Sequence, residues 1–362
     1  MDVKYLITDD RLINHFKDKT FSGFKKNDVF QTIFKSIETK KIENSCHWVT
    51  ECILSGYTIQ LWEKLMLFSS KVVSINNPLL PSYTLKKNKI FMNQISKLNL
   101  KKNKDEILLL RNSQMIRNLF FDYITVLTTS IKTKRYDKYP KINEKSDFNF
   151  HDIKKRLCAE MNILPEDIIR FNDPNELKIM INEIFTLFKN KQFGYERSCY
   201  WILWLCKWET LHKKKRVSYF IESRDIPNIP KNAQNNFIWI IWEIILKENK
   251  DRNNQNIDNQ IKTLYELFKI NFTNGKRTAR LPYVFNAIAY LTHNIDFSIQ
   301  IKNNMKVFIQ VQCNVNKLFH DKKIHEIKYE KIEEIKKPPK KTNINSEILT
   351  DKISIFNNID NI

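Results

Sequence analysis

The chain has 362 residues and a mass of 43.6 kDa, enough for one large domain or two ordinary ones. Its 61 Lys and Arg against 40 Asp and Glu leave a formal charge of +21, and 42% of the residues are hydrophobic; that apolar share excludes a wholly disordered chain despite the charge. Only four glycines are present, which excludes collagen-like sequence and argues against glycine-rich phosphate loops and hairpin-dense β folds.

Apolar residues recur at helical spacing along most of the chain. Val29, Ile33 and Ile37 mark a first helix over 25–40. A second runs over 43–55 and stops at Gly56, where a glycine can adopt the left-handed conformation that ends a helix. Thr58 is a candidate N-cap for a third, extending to about 75. Leu61, Leu65, Phe68 and Val72 line one of its faces, while Trp62, Met66 and Val73 line another, as in a central helix. Asn77-Pro78 ends it. A Lys-rich stretch follows. Another amphipathic helix starts near Ser113, with Ile116, Phe120, Tyr123, Leu127 and Ile131 on one side.

Residues 133–148 are charged, polar and aperiodic, the best place for a domain boundary. Asp173, Pro174 and Glu176 then have the pattern of an N-cap, a first-turn proline and a capping box. Leu177, Met180, Ile181, Ile184, Phe185 and Phe188 form the apolar stripe that follows. Further helices are expected over 197–212, 232–249, 256–270 and 280–293. The stretch 305–315 is ambiguous between helix and strand. The expected organisation is an N-terminal helical half over 1–132, a connection over 133–172, a C-terminal helical half over 173–318, and a basic linker with a short amphipathic segment (348–356) over 319–362. The fold class is all-α, two packed helical halves of a clamp-loader-collar-like or helical-repeat-like kind. One internal echo, Ser45-Cys46-His47-Trp48 against Ser198-Cys199-Tyr200-Trp201, would fit two related halves.

Signatures of catalysis are lacking. Gly275-Lys276-Arg277-Thr278 resembles the tail of a phosphate loop, but Ile270 stands where its first glycine belongs. Cys46, His47 and Cys52, or Cys199 and Cys206, could be ligands in principle, but their cysteines have the wrong spacing for zinc on a helix. No nucleophile–base pattern is readable, and Asp9-Asp10 lies in a charged stretch that looks exposed. No catalytic, cofactor or metal residues are therefore assigned, and an enzyme is not expected. The six scattered cysteines fit reduced, buried thiols in an intracellular protein. No hydrophobic signal region opens the chain, and its longest near-apolar run, 237–246, is too short to span a bilayer.

Trp201, Trp204 and Trp208 follow i, i+3, i+7 spacing. Packing in a helical core explains this best, with an aromatic platform for single-stranded bases as the sharper alternative. Basic clusters recur, most of them at helix ends or in linkers, where cations complement the helix dipole. Lys213, Lys214, Lys215 and Arg216 directly follow the tryptophan helix and are the leading candidates for nucleic-acid contact, with Lys132, Lys134 and Arg135. Lysine outnumbers arginine about fourfold, and Asn and Ile are abundant, a bias that an AT-rich genome also produces.

Residues 35–78 resemble the C-terminal helical domain of RarA/MgsA-type ATPases, relatives of clamp loaders. The matching positions are Lys35, Ser36 and Ile37, then His47-Trp48, Gly56 and Asn77-Pro78. His47 replaces the usual Tyr, and the ATPase core is absent, so the resemblance implies a collar-like module for oligomerisation or for holding replication proteins. The chain as a whole is similar to uncharacterised proteins of giant nucleocytoplasmic large DNA viruses, on stretches such as SGYTIQLWEKLMLFSSK, LLLRNSQMIRNLF and FIWIIWEIILKE. Together these point to a non-enzymatic accessory of viral DNA replication, repair or transcription. A virion or packaging component held by protein contacts is the alternative. The expected partners are nucleic acid, viral or host replication proteins and further copies of the chain; the expected place is a reducing compartment, host cytoplasm, viral factory or virion.

Overall fold

A computed structural model describes residues 2–133 and 140–328. Among these residues the fold is all-α, as the periodicity predicts, and the only strand-like pairing is an isolated bridge between Lys19 and Lys25. The helices are α1 (Lys26–Glu38), α2 (Ile42–Leu54), α3 (Thr58–Phe68), α4 (Leu80–Ile95), α5 (Gln114–Thr129), α6 (Phe150–Arg156), α7 (Asn175–Leu187), α8 (Gly194–Lys214), α9 (Ile238–Arg252), α10 (Gln255–Lys269), α11 (Arg277–Thr292) and α12 (Met305–Asp321). The ambiguous 305–315 stretch is thus helical, with Asn304 capping Val307 N–H.

Two compact units emerge, interleaved in sequence. The first holds the described residues of Met1–Met66, Lys86–Ile131 and Gln300–Ile362; the second holds those of Leu67–Leu85 and Lys132–Ile299. This differs from a split into halves at 133–172. Residues 67–85 belong with the second unit, 300–328 with the first, and 140–172 are part of the second unit rather than a connection. An apolar helix face packs on whatever covers it, near in sequence or not. Val307, Phe308, Val311, Val315, Leu318 and Phe319 of α12 are buried, and α12 packs on α5 of the first unit.

In the first unit, α5 is buried on nearly every side, with α1, α2 and α12 against it. It starts where expected, with Ser113 as its N-cap, but Ile131, two positions past its last residue, is 59% exposed. Trp62 of α3 meets Phe91, Phe120 and Tyr123 at ring-centroid distances of 5.1, 5.3 and 4.9 Å. Gly56 stops α2 with φ of +74°; Gly56 N–H and Tyr57 N–H bond back to the carbonyls of Ile53 and Cys52. Thr58 does not cap α3: it is the first helical residue, and its buried hydroxyl has no partner. α3 gives way at Ser69–Val73 to a π turn and then to a short 3₁₀ turn, instead of continuing to residue 75 as one α-helix. The Lys-rich stretch after Pro78 forms α4, which its polar composition concealed.

Of the Asp9-Asp10 pair expected to be exposed, Asp10 is, but Asp9 is not. Asp9 has a fully buried side chain, chelated by Arg11, with Arg111 3.8 Å away. Residues 319–328, expected as linker, are clasped to the N-terminal segment. Ile327 N–H donates to Asp9 Oδ2, Asp10 N–H to the Ile327 carbonyl, and Thr8 N–H to Glu326 Oε1. Lys322 is buried; its Nζ lies 2.8 Å from Glu51 Oε2 and 3.2 Å from His47 Nε2. His320 and His325, on either side of it, are both exposed. Residues 329–362, with most of the basic linker and the whole amphipathic segment, lie outside the described residues.

In the second unit, α7, α8, α9 and α11 pack on one another, and α10 covers α9 and α11. Asp173 does not cap α7, whose N-cap is Pro174. Its carboxylate instead takes both terminal nitrogens of the buried Arg224 at 3.0 and 2.8 Å, and the N–H groups of Arg170 and Glu222. Burial alone would push the Asp173 carboxyl up, but these donors hold it below its usual range. A buried charge is retained only when so paired. The repeated Ser-Cys echo falls at corresponding places: Ser45-Cys46 and Ser198-Cys199 are buried on the second helix of an α-hairpin in each unit.

A Cβ at residue 56 would stand 2.5 Å from Ile13 Cδ1 and 2.8 Å from Leu108 Cδ2, on a backbone that disfavours side chains. Gly56→Ala should therefore cost about 1–2 kcal/mol, seen as a lower melting temperature with helicity kept at 25 °C.

The clasp should also be acid-labile. Burial, and then the neighbouring Lys322 ammonium, push His47 down to about 3. Glu51 is held below its usual range by Lys322 and Ser22, although burial opposes this. Both folded-state values are depressed, so stability is full above the unfolded values and is lost as pH falls. For His47 that loss begins near pH 6.5, at up to about 1.4 kcal/mol per pH unit. His47→Gln keeps an acceptor for Lys322, so the slope of unfolding free energy against pH between 6.5 and 4.5 should fall by about one proton's worth. An unchanged slope would acquit His47.

Candidate nucleic-acid interface

The second unit is organised along α8. Trp201, Trp204 and Trp208 are buried, at 1%, 5% and 4% exposure. They belong to the core, as their spacing predicts, and this overturns the alternative of a tryptophan platform for bases. Trp48 of the first unit is half-buried against Phe24 and His47. Pro78 accepts a hydrogen bond from the Tyr290 hydroxyl through its carbonyl, so it is structural as well as a helix stop.

The residues of α8 at 197, 200, 204, 207 and 214 follow i, i+3, i+4 or i+7 steps, and each meets residues 144–158. The Arg197 guanidinium touches Cys158 Sγ, and Tyr200 meets Arg156. Trp204 Nε1–H donates to the Asp147 carbonyl at 2.7 Å, and its ring stacks on Phe148 at 4.6 Å. Lys207 and Lys214 share Glu144. Partner numbers fall as α8 numbers rise, so 144–158 is a strap antiparallel to the helix. It runs along α8 from Arg197 to Lys214, about 26 Å at the α-helical rise. Asp147 closes the strap on itself through Asn143 N–H at 2.8 Å and Arg156 at 2.7 Å; burial opposes ionisation, but these bonds keep the carboxyl below its usual range. At the far end, the fully buried Glu183 accepts from the Cys158 and Ala159 N–H groups, both at 2.8 Å.

The outer side of this assembly is basic. Lys213, Lys214, Lys215 and Arg216 are all exposed, and their support is rigid. Lys215 is the C-cap, Arg216 has φ of +56°, and the N–H groups of Arg216 and Val217 bond to the carbonyls of Lys213 and His212. The strap adds Lys141, Lys145, Lys154, Lys155 and Arg156, all exposed. These strap cations were not singled out from the sequence, although the charge of an aperiodic segment was the available signal. Glu144 is the exposed carboxylate of the strap, with Asp147 buried and Asp152 half-buried; its ion pairs with Lys207 and Lys214 hold it below its usual range.

The second candidate cluster is not comparable. Lys132 is half-buried, and Lys134 and Arg135 lie outside the described residues. Thr133, next to Lys132, lines a cavity of about 290 Å³ with Ser74, Asn76, Tyr195 and His293. No Asp, Glu, Lys or Arg lines that cavity. Among the described residues no group of three or more His, Cys, Asp or Glu could hold a metal ion, and no helix is long and apolar enough to cross a membrane. The thiols are not uniformly buried as expected: Cys46, Cys52 and Cys199 are, Cys158 and Cys206 are intermediate, and Cys313 is exposed.

Comparison with family models, curated proteins and solved structures finds no match.

Arg216 occupies a position that glycine fits with less strain. Arg216→Gly should raise stability by about 0.5–1 kcal/mol, measured by chemical denaturation, while removing one surface cation.

Proposed function

We propose that this chain is a non-enzymatic helical protein that binds nucleic acid through the basic ridge of its second unit, as an accessory of DNA replication, repair or transcription. The observation that carries the proposal is the Lys213–Arg216 group. Four exposed cations sit on a helix end that three buried tryptophans anchor, beside a strap bearing five more. Cations on a fixed support displace counterions from several phosphates at once, and that release drives binding. The viral setting and replication partners come from the sequence resemblances alone.

Replacing Lys213, Lys214, Lys215 and Arg216 together by Gln should weaken DNA binding and flatten the log–log salt dependence by up to about three units on duplex, at about 0.9 per phosphate contact. Stability should move by about 0.5 kcal/mol or less, as for most surface substitutions. Fluorescence anisotropy at several salt concentrations measures both affinity and slope. A wild-type slope in the variant would make this group a solvated helix end and the charge of +21 a matter of composition.

A second reading, assembly through protein contacts as in a particle or packaging component, draws on α12 of the first unit. Met305 and Ile309 are 55% and 59% exposed and Cys313 is exposed, at i, i+4, i+8. Light scattering of wild type against Ile309→Asp tests whether copies of the chain associate there; a monomer in both would remove this reading.

A further inference from the structure

We infer that Phe150 is a base-stacking residue, and that the ridge therefore takes single-stranded nucleic acid in preference to duplex; the inference rests on the ridge being a backbone-binding surface. Phe150 is 79% exposed, yet it stands on fixed structure. Two residues earlier, Phe148 is turned inward onto Trp204, whose indole N–H holds the Asp147 carbonyl. Asn149 caps α6 by accepting the His151 N–H at 2.9 Å, and Asp147 bonds Arg156 at the end of the same helix. An aromatic ring is thus held outward from a segment anchored on both sides.

Its surroundings favour an anionic partner. Lys154 lies one helical turn on, at i+4 and on the same side of α6, followed by the exposed Lys155 and Arg156. Asp152 is the one carboxylate in α6, and it is half-buried. An exposed ring among cations suits a ligand with flat apolar faces and a phosphate chain. Duplex DNA hides those faces within its stack, whereas a single strand offers them, and stacking tolerates any base. From Tyr200, where Arg156 sits, to Lys214 the ridge runs 14 residues along α8, about 21 Å. A single strand spaces its phosphates more widely than the 3.4 Å of one duplex strand, so the ridge spans at most about six phosphates, within the usual range for single-strand sites.

The test uses the full chain and a labelled 15-nucleotide strand of mixed sequence, alone and annealed to its complement, read by anisotropy. Phe150→Ala should weaken single-strand binding about 5- to 150-fold, the usual worth of one stacked base, and leave duplex binding within about twofold. Phe150→Trp should restore the preference, and Phe150→Leu, apolar but without a π face, should not. If Phe150→Ala leaves single-strand affinity unchanged while the four-Gln variant still flattens the salt slope, the stacking role is overturned and the ridge stands. Equal losses on both substrates would assign Phe150 to holding the strap, and would also overturn stacking. Wild-type protein without salt-dependent binding to either substrate would remove the ridge itself.

Discussion

A carboxylate taken out of water must be met by a cation or by several N–H donors, and both units of this protein are closed by that requirement. Helical periodicity specifies which faces turn inward, but it says little about where irregular segments go. Those segments are placed by buried charge. Asp9 gathers Arg11 and the backbone of residue 327, and Glu51 draws in Lys322 from the far end of the first unit. Asp173 joins Arg224 to two backbone N–H groups, and Asp147 folds the strap onto α8. Removing one partner leaves a charge without compensation, which costs more than a broken surface pair. Each contact is therefore more specific than the apolar packing around it, which tolerates many arrangements of similar volume.

The same economy shapes the surface. Acidic residues engaged in the interior or at the strap no longer offset lysines outside, so the excess of positive charge is expressed outward. Along α8 this matters most. The tryptophan face is committed to the core, the adjoining stripe, which shares Trp204, is covered by the strap, and the C-terminal end that remains outside is cationic. A charge excess of compositional origin can still create a field that anions respond to; geometry decides whether the field is concentrated. The Lys213–Arg216 end and α6 sit on anchored backbone, so little conformational freedom remains to be lost when a phosphate chain is bound.

Scarcity of glycine has a structural counterpart. Helix ends that need a left-handed residue use Lys40, Arg216 and Asn253, with glycine reserved for Gly56, where side chains of Ile13 and Leu108 crowd the site. Such positions carry mild strain in a chain whose stability is spread over many buried aromatic contacts. The π turn after α3, followed by Ser74 at φ of +51°, is the other place where the helical backbone departs from regularity.

By itself the sequence determined the all-α class, most helices to within a few residues, the stop at Gly56, the helix start near Ser113 and the burial of Trp201, Trp204 and Trp208. These follow from local periodicity and from conformations that single residue types prefer. It marked Lys213–Arg216 as a candidate because four consecutive cations after an apolar helix are visible in one dimension. Only the tertiary structure decided that 140–158 is a strap and not a connection, that α12 packs with the first unit, that Asp173 binds Arg224 instead of capping α7, and that Lys322 is buried. Each of those outcomes depends on partners far apart in the chain. Phe148 and Phe150 illustrate the limit: two residues apart in the same polar segment, they cannot be told apart by pattern, and the position of Trp204 gives one a stacking partner and leaves the other to solvent.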